Sequence, residues 1–270
     1  MIKTIAAPSP AGTFNLVYYI PDTGTGPWPV FIMFPGDGET GSDPSKAYVN
    51  GPMVFIKNGW APNFVVVFAQ TPYHGGTYGN PSAILFLRAA IQYIANNLPV
   101  DKSHIYLTGL SYGADHVMCY VQKEDPAYYI PIAGIVPMSM AMYGSVGNYP
   151  NDSLGGNDSR MAKMRILGFC GTSDSTVFLN AMQRFFSLAK AAGYNADLVL
   201  YPAGHSGWNQ FYDNTYKGPN KALNIYDDEL QSTGYVPVVV TPPPVVTPPV
   251  TKTIKSILIT YTDGSTETKP

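Results

Sequence analysis

With 270 residues, 45% of them apolar, the chain can bury a sizeable core and has room for one large domain or two small ones. Charged residues are scarce at 13% and the net charge is −2, so nothing favours nucleic acid or an acidic membrane as a partner. No apolar run reaches the ~18 residues of a membrane-spanning helix.

Tyrosine is abundant at 20 residues, beside 26 Gly and 25 Pro. Such a surface is polar but weakly charged, as suits a place outside the cell and contact with carbohydrate. The opening "IKTIAAPSP" lacks the apolar stretch of a secretion signal. Either a leader has been removed or export takes another route. The two cysteines, Cys119 and Cys170, sit inside apolar segments and are expected as buried free thiols.

In chain order, "FNLVYYI" (14–20) and "VFIMF" (30–34) read as strands. "FVVVFA" (64–69) is continuous and β-branched, as in a strand covered on both faces. "SAILFLRAAIQYIANNL" (82–98) has helical spacing, with Ser82 as its expected N-cap. "IYLTG" starts a strand at Ile105, and a helix follows over 112–122. "IAGIVPM" (132–138) is the next strand, and 139–163 reads as a loop too short for a lid domain. "ILGFC" (166–170) and "DLVLY" (197–201) are strands flanking a helix over 177–192. This alternation predicts an α/β domain: a mostly parallel, doubly wound sheet with helices on both faces.

The chain then changes character. Residues 1–234 are expected as the main domain and 235–250 as a Pro/Val/Thr linker; 251–270 form a short β-hairpin around Asp263-Gly264. A lone hairpin is marginally stable. It either begins a further module or pairs with something else.

The most informative stretch is "LTGLSYGADHVM". Gly109-Leu110-Ser111-Tyr112-Gly113 lies between a strand and a helix, the context that makes G-x-S-x-G a nucleophile elbow. Residues without Cβ at 109 and 113 permit the close backbone approach of such a turn. A helix N-terminus behind Ser111 offers free N–H groups to an oxyanion.

Serine needs a base. His104 is expected ahead of its strand, at the wrong sheet edge, and His116 points away along the helix after Ser111. His74 follows a strand and can line the cleft. His205, in the loop after the last strand, fits the chain order Ser, Asp, His. Asp174, four residues past the preceding strand, is the candidate acid; Asp152 and Asp158 are fallbacks, and Asp197 starts its strand at the wrong edge. Backbone donors for an oxyanion are expected at Tyr112 and, from the loop after "VFIMF", at Asp37 or else Gly38. The acidic Asp37 and Glu39 suit that place only if their side chains face solvent. No phosphate loop, dinucleotide fingerprint or metal-spaced set is present, so no cofactor and no metal are expected.

"VFIMFPGDG", "LTGLSYGADHVM", "GTSDSTV" and "YPAGHSGW" together resemble the α/β-hydrolase superfamily from about residue 14 to 212. Within it, the chain is similar to the compact feruloyl and acetylxylan esterases, polyhydroxybutyrate depolymerases and dienelactone-hydrolase-like enzymes. The resemblance implies a serine ester hydrolase with Ser111 as nucleophile, Asp174 as acid and His205 as base. Two positions depart from the pattern: Pro35-Gly36 stands where His-Gly is usual, and Ala114 replaces a second glycine after the elbow. The implied substrate is an acetyl or feruloyl ester on a polysaccharide. Polyester depolymerase and small peptidase are the enzymatic alternatives, and a non-catalytic carbohydrate-binding protein on the same scaffold is the other. Tyr73, His74, Trp208, Gly38 and Tyr143 are candidate cleft residues. The oligomeric state is open.

Overall fold

The computed structural model describes residues 1–10, 12–72, 81–140, 158–217, 224–235, 257–260 and 266–269. Contacts divide the chain into two compact units, Met1–Val236 and Pro237–Pro270.

Among its described residues the first unit holds eight strands in one sheet. They are β1 (Ile2–Ser9), β2 (Gly12–Tyr19), β3 (Trp28–Phe34), β4 (Val65–Gln70), β5 (Val100–Leu110), β6 (Gly134–Met138), β7 (Arg165–Gly171) and β8 (Ala196–Tyr201). Their spatial order is β1-β2-β4-β3-β5-β6-β7-β8. From β4 to β8 all neighbours are parallel, while β1 and β2 are antiparallel additions at one edge. Helices in this unit are α1 (Pro52–Lys57), α2 (Pro81–Asn97), α3 (Tyr112–Lys123), α4 (Asp158–Met161), α5 (Thr176–Ala191), α6 (Asn209–Tyr212) and α7 (Ile225–Ser232).

Two cores, one on each face, follow from the strand pleat. Alternate residues Val30, Ile32 and Phe34 of β3, with Val65 and Val67 of β4, pack under α2, α3 and α5 through Phe86, Ile91, Val117, Met118, Met182 and Phe186. The opposite set, Phe31, Met33, Val66, Phe68 and Tyr106, meets Met53, Phe211, Tyr212, Ile225 and Tyr226. Apolar on both faces, the central strands read as unbroken hydrophobic runs. The whole of β4 is buried.

Several boundaries differ from the sequence expectation. Strand β5 begins at Val100, because Val100 pairs with Trp28 before the register shifts between Trp28 and Val30. His104 therefore lies within β5 rather than ahead of it, and its Nδ1 sits 2.7 Å from Asp101 Oδ2. Ser82 is the second residue of α2 rather than the residue before it: the helix starts at Pro81, whose fixed φ suits a first turn. Strand β1 has no counterpart in the sequence reading. It is an edge strand with Ala7 its one fully buried residue, so it carries little apolar period.

The chain crosses from β3 to β4 on one side and then to β5 on the other side of β3. The loops after β3 and β5 therefore part at the carboxyl edge of the sheet. That opening is where an open α/β sheet takes its ligand.

In the second unit, β9 (Ile257–Thr260) pairs antiparallel with β10 (Thr266–Lys269), Thr260 opposite Thr266. The expected turn at Asp263-Gly264 and the expected linker beyond Tyr235 lie outside the described residues. Among the described residues no helix is long and apolar enough to cross a membrane.

Candidate active site

Ser111 occupies the sharp junction of β5 and α3 with φ 52° and ψ −121°. A non-glycine residue at positive φ is strained, and the surroundings hold it there. Its N–H donates to Met138 O at 2.9 Å, and its carbonyl accepts from Ala114 N–H at 3.0 Å. The flanking glycines are sterically required. A Cβ at Gly109 would lie 2.8 Å from Ala114 N and overlap Gly113 O; one at Gly113 would lie 2.7 Å from Pro35 O and overlap Phe34 O. The second contact also shows that the loop after β3 packs directly on the elbow.

His205 and Asp174 come to the same edge from the ends of β8 and β7. His205 Nε2 lies 3.0 Å from Ser111 Oγ. Its Nδ1 lies 3.0 Å from each oxygen of Asp174. A carboxylate at Nδ1 keeps the ring proton on that side and leaves the Nε2 lone pair facing the serine hydroxyl. The Asp174 side chain is fully buried, whereas that of His205 is 34% exposed. Ser175 N–H donates to Asp174 Oδ1 at 2.7 Å, and the Cys170 thiol points at Oδ2 from 3.9 Å. Burial, reinforced by the nearby Asp174 charge, pushes the Cys170 thiol up to about 12, so it stays a neutral donor. Both cysteines are buried, Cys119 in α3 and Cys170 in β7.

Two aromatic rings flank the imidazole. Phe178, in the first turns of α5, lies with its centroid 4.1 Å from that of His205 at a tilt of 35°. Trp208 stands edge-on, 5.0 Å away at 89°. Its Nε1–H donates to Ser139 Oγ at 3.3 Å.

The other candidate residues distribute as follows. Tyr112 is the first residue of α3. Asp37 opens a 3-10 turn, Asp37–Glu39, on the loop that touches the elbow, and Asp37 and Gly38 are both exposed. Glu39 does not face solvent as expected. It is 5% exposed and its Oε1 accepts from Asn50 Nδ2 at 2.7 Å. Its Oε2 has no hydrogen-bond partner among the described residues and lies 3.1 Å from where a Gly36 Cβ would be. Gln70 pins this loop, its Nε2 donating to Glu39 O at 3.0 Å and Asp43 O at 2.8 Å.

His116 is buried between the rings of Phe34 and Phe86, and burial lowers it to about 4. Asp197 pairs with Arg165 at 2.8 Å, away from the serine, as its place at the start of β8 requires. Tyr73, His74, Tyr143 and Asp152 fall outside the described residues; Asp158 opens α4. Phe178 and Ser139 are absent from the sequence reading. Phe178 looks there like any apolar helix position, and the one hint at Ser139 is a polar residue at a strand's carboxyl end.

No protein-family model matches the sequence, and no curated protein matches it. Solved structures do. The apo form of Thermogutta terrifontis esterase 2 superposes with a TM-score of 0.61 at 18% identity, over 88% of this chain and 96% of that one. The same esterase phosphorylated by paraoxon gives a TM-score of 0.60 at 19% identity, over 88% and 96% of the two chains. Its propionate-bound form gives 0.59 at 17% identity, over 88% and 96%. Likeness at such identity speaks to the fold, and it agrees with the strand order: the chain has an α/β-hydrolase fold.

Proposed function

We propose that the protein is a serine carboxylic-ester hydrolase acting through an acyl-enzyme on acetyl or feruloyl esters of polysaccharides. One observation carries the reading: His205 bridges Ser111 Oγ and the buried Asp174 carboxylate with 3.0 Å contacts on both sides.

In that arrangement the imidazole takes the serine proton as Oγ attacks the ester carbonyl, and returns it to the leaving alcohol. Asp174 holds the tautomer and balances the imidazolium. Water then attacks the acyl-enzyme by the same route. The N–H groups of Tyr112 and Asp37 are the proposed oxyanion donors: one starts a helix, the other starts a turn whose loop rests on that helix.

The similar structures are those of an esterase, in one case phosphorylated by paraoxon, which supports this class of reaction. The polysaccharide link rests on the sequence resemblance, the weakly charged Tyr-rich composition and the Pro/Thr-rich segment. We place the protein outside the cell on the same grounds, with the second unit holding it on insoluble substrate.

Turnover of p-nitrophenyl acetate and of feruloylated and acetylated xylan, with labelling by a serine-directed phosphonate, tests the proposal. Absence of both turnover and labelling overturns the enzyme reading. Activity confined to polyesters or peptides overturns the substrate class alone.

A further inference from the structure

Two non-glycine residues among those described have positive φ, Ser111 at 52° and Ser139 at 49°. The first is the proposed nucleophile. The second, fully buried, comes directly after β6 and has no part in the reaction as drawn. Strain of this kind persists where surrounding structure imposes it, and it gathers at functional sites. Glycine would take the same φ without strain. The residue present carries a hydroxyl instead.

Ser139 touches the supports of all three triad members. The carbonyl immediately before it, Met138 O, accepts the Ser111 N–H at 2.9 Å. Its own N–H donates to Phe169 O at 2.8 Å, on the strand that leads to Asp174. Its hydroxyl accepts the Trp208 indole N–H at 3.3 Å. It also faces the Cys170 thiol and the Tyr201 hydroxyl.

The indole matters because Asp174 holds His205 only at the Nδ1 end of its ring. The ring belongs to a loop with Gly204 on one side and Gly207, at φ 86°, beyond it, and a third of its side chain is open to solvent. Phe178 covers one face, and the edge-on Trp208 limits rotation of the imidazole plane. A Trp208 free to tilt would let Nε2 leave the serine oxygen.

We propose that Ser139 is a positioning residue: its hydroxyl fixes the Trp208 indole, and the indole fixes the His205 imidazole against Ser111. The inference rests on the ester-hydrolase reading above.

The test is a double-mutant cycle on p-nitrophenyl acetate with wild type, Ser139→Gly, Trp208→Phe and the double variant. Ser139→Gly keeps the backbone conformation and deletes the hydroxyl; Trp208→Phe keeps a ring and deletes the indole N–H. Each single change should lower kcat by about tenfold to a hundredfold, the scale of a small misplacement of reacting groups. KM should stay within about twofold, and the melting temperature within a few degrees. The double variant should lose no more than the worse single one, since both remove one coupling. A kcat for Ser139→Gly within twofold of wild type, or losses that multiply in the double variant, overturns the inference and leaves the hydrolase reading standing. If Ser139→Gly does not fold, the Trp208→Phe kcat and KM decide alone, and a kcat within twofold of wild type overturns the inference. A wild type that neither turns over nor labels with a phosphonate overturns the hydrolase reading, and the inference with it.

Discussion

His205 Nδ1 is equidistant from the two oxygens of Asp174, 3.0 Å from each, while Ser175 N–H holds one of those oxygens at 2.7 Å. The carboxylate is thus anchored by the backbone on one side and used by the imidazole on the other. Asp174→Asn places an amide there that can present N–H to Nδ1 and favour the wrong tautomer. We expect kcat on an aryl ester to fall by roughly 10³ to 10⁴, with the fold retained. Asp158→Asn should leave kcat within about twofold. The assignment of the acid fails if the two variants behave the other way round.

Ser111→Ala should abolish both ester turnover and phosphonate labelling. The side chain is only half-buried and its backbone bonds, to Met138 O and from Ala114 and Asp115 N–H, do not involve Oγ. Circular dichroism and the melting temperature should therefore be close to wild type. Turnover above the uncatalysed background in this variant would exclude the proposed mechanism.

Much of this site could be read from residue order alone, for a topological reason. Ser111, Asp174 and His205 each follow an apolar run, and consecutive parallel strands put such loops on one edge of the sheet. Other features depend on tertiary context. The sign of φ at Ser139 is set by the elbow and by β7, and nothing in "VPMSM" declares it. Glu39 is drawn inward by Asn50, eleven residues later, against the local expectation for a carboxylate in a glycine-rich loop. His104 joins a strand because Trp28 pairs with Val100, a contact between residues far apart in sequence. Edge strand β1 buries too little to leave a hydrophobic period.

Gly113→Ala tests whether the elbow and the loop after β3 are mechanically one unit. The added methyl would meet Pro35 O at 2.7 Å and overlap Phe34 O, both backbone atoms that cannot rotate aside. Either the helix start or the Pro35–Gly36 segment must move, and the second carries the proposed Asp37 donor. We expect a stability loss of about 1 to 3 kcal/mol, the usual cost of overpacking, and a fall in kcat larger than any rise in KM. Unchanged kcat with lowered stability would separate the loop from the chemistry.

At the opposite edge of the sheet, Glu229 is wholly buried, and among the described residues neither of its oxygens has a hydrogen-bond partner. Arg165, the nearby cation, gives its bonds to Asp228 at 2.9 Å and Asp197 at 2.8 Å. Burial therefore raises Glu229 well above the ordinary carboxyl value; Arg165 opposes the rise and Asp228 adds to it. Below the unfolded-state value both states hold the proton, and this group does not penalise folding. As pH rises past it, the unfolded chain ionises while the folded one keeps its proton, so stability is lost until the folded value is reached. The loss approaches about 1.4 kcal/mol per pH unit within that window. Glu229→Gln removes the titration and keeps the shape. Its melting temperature relative to wild type should be near zero or slightly negative below the ordinary glutamate range and turn positive as pH rises above that range. Thermal denaturation of both proteins across that range reads the difference. An offset that stays constant with pH would mean that Glu229 is ionised in the folded protein and paired with Arg165 after all.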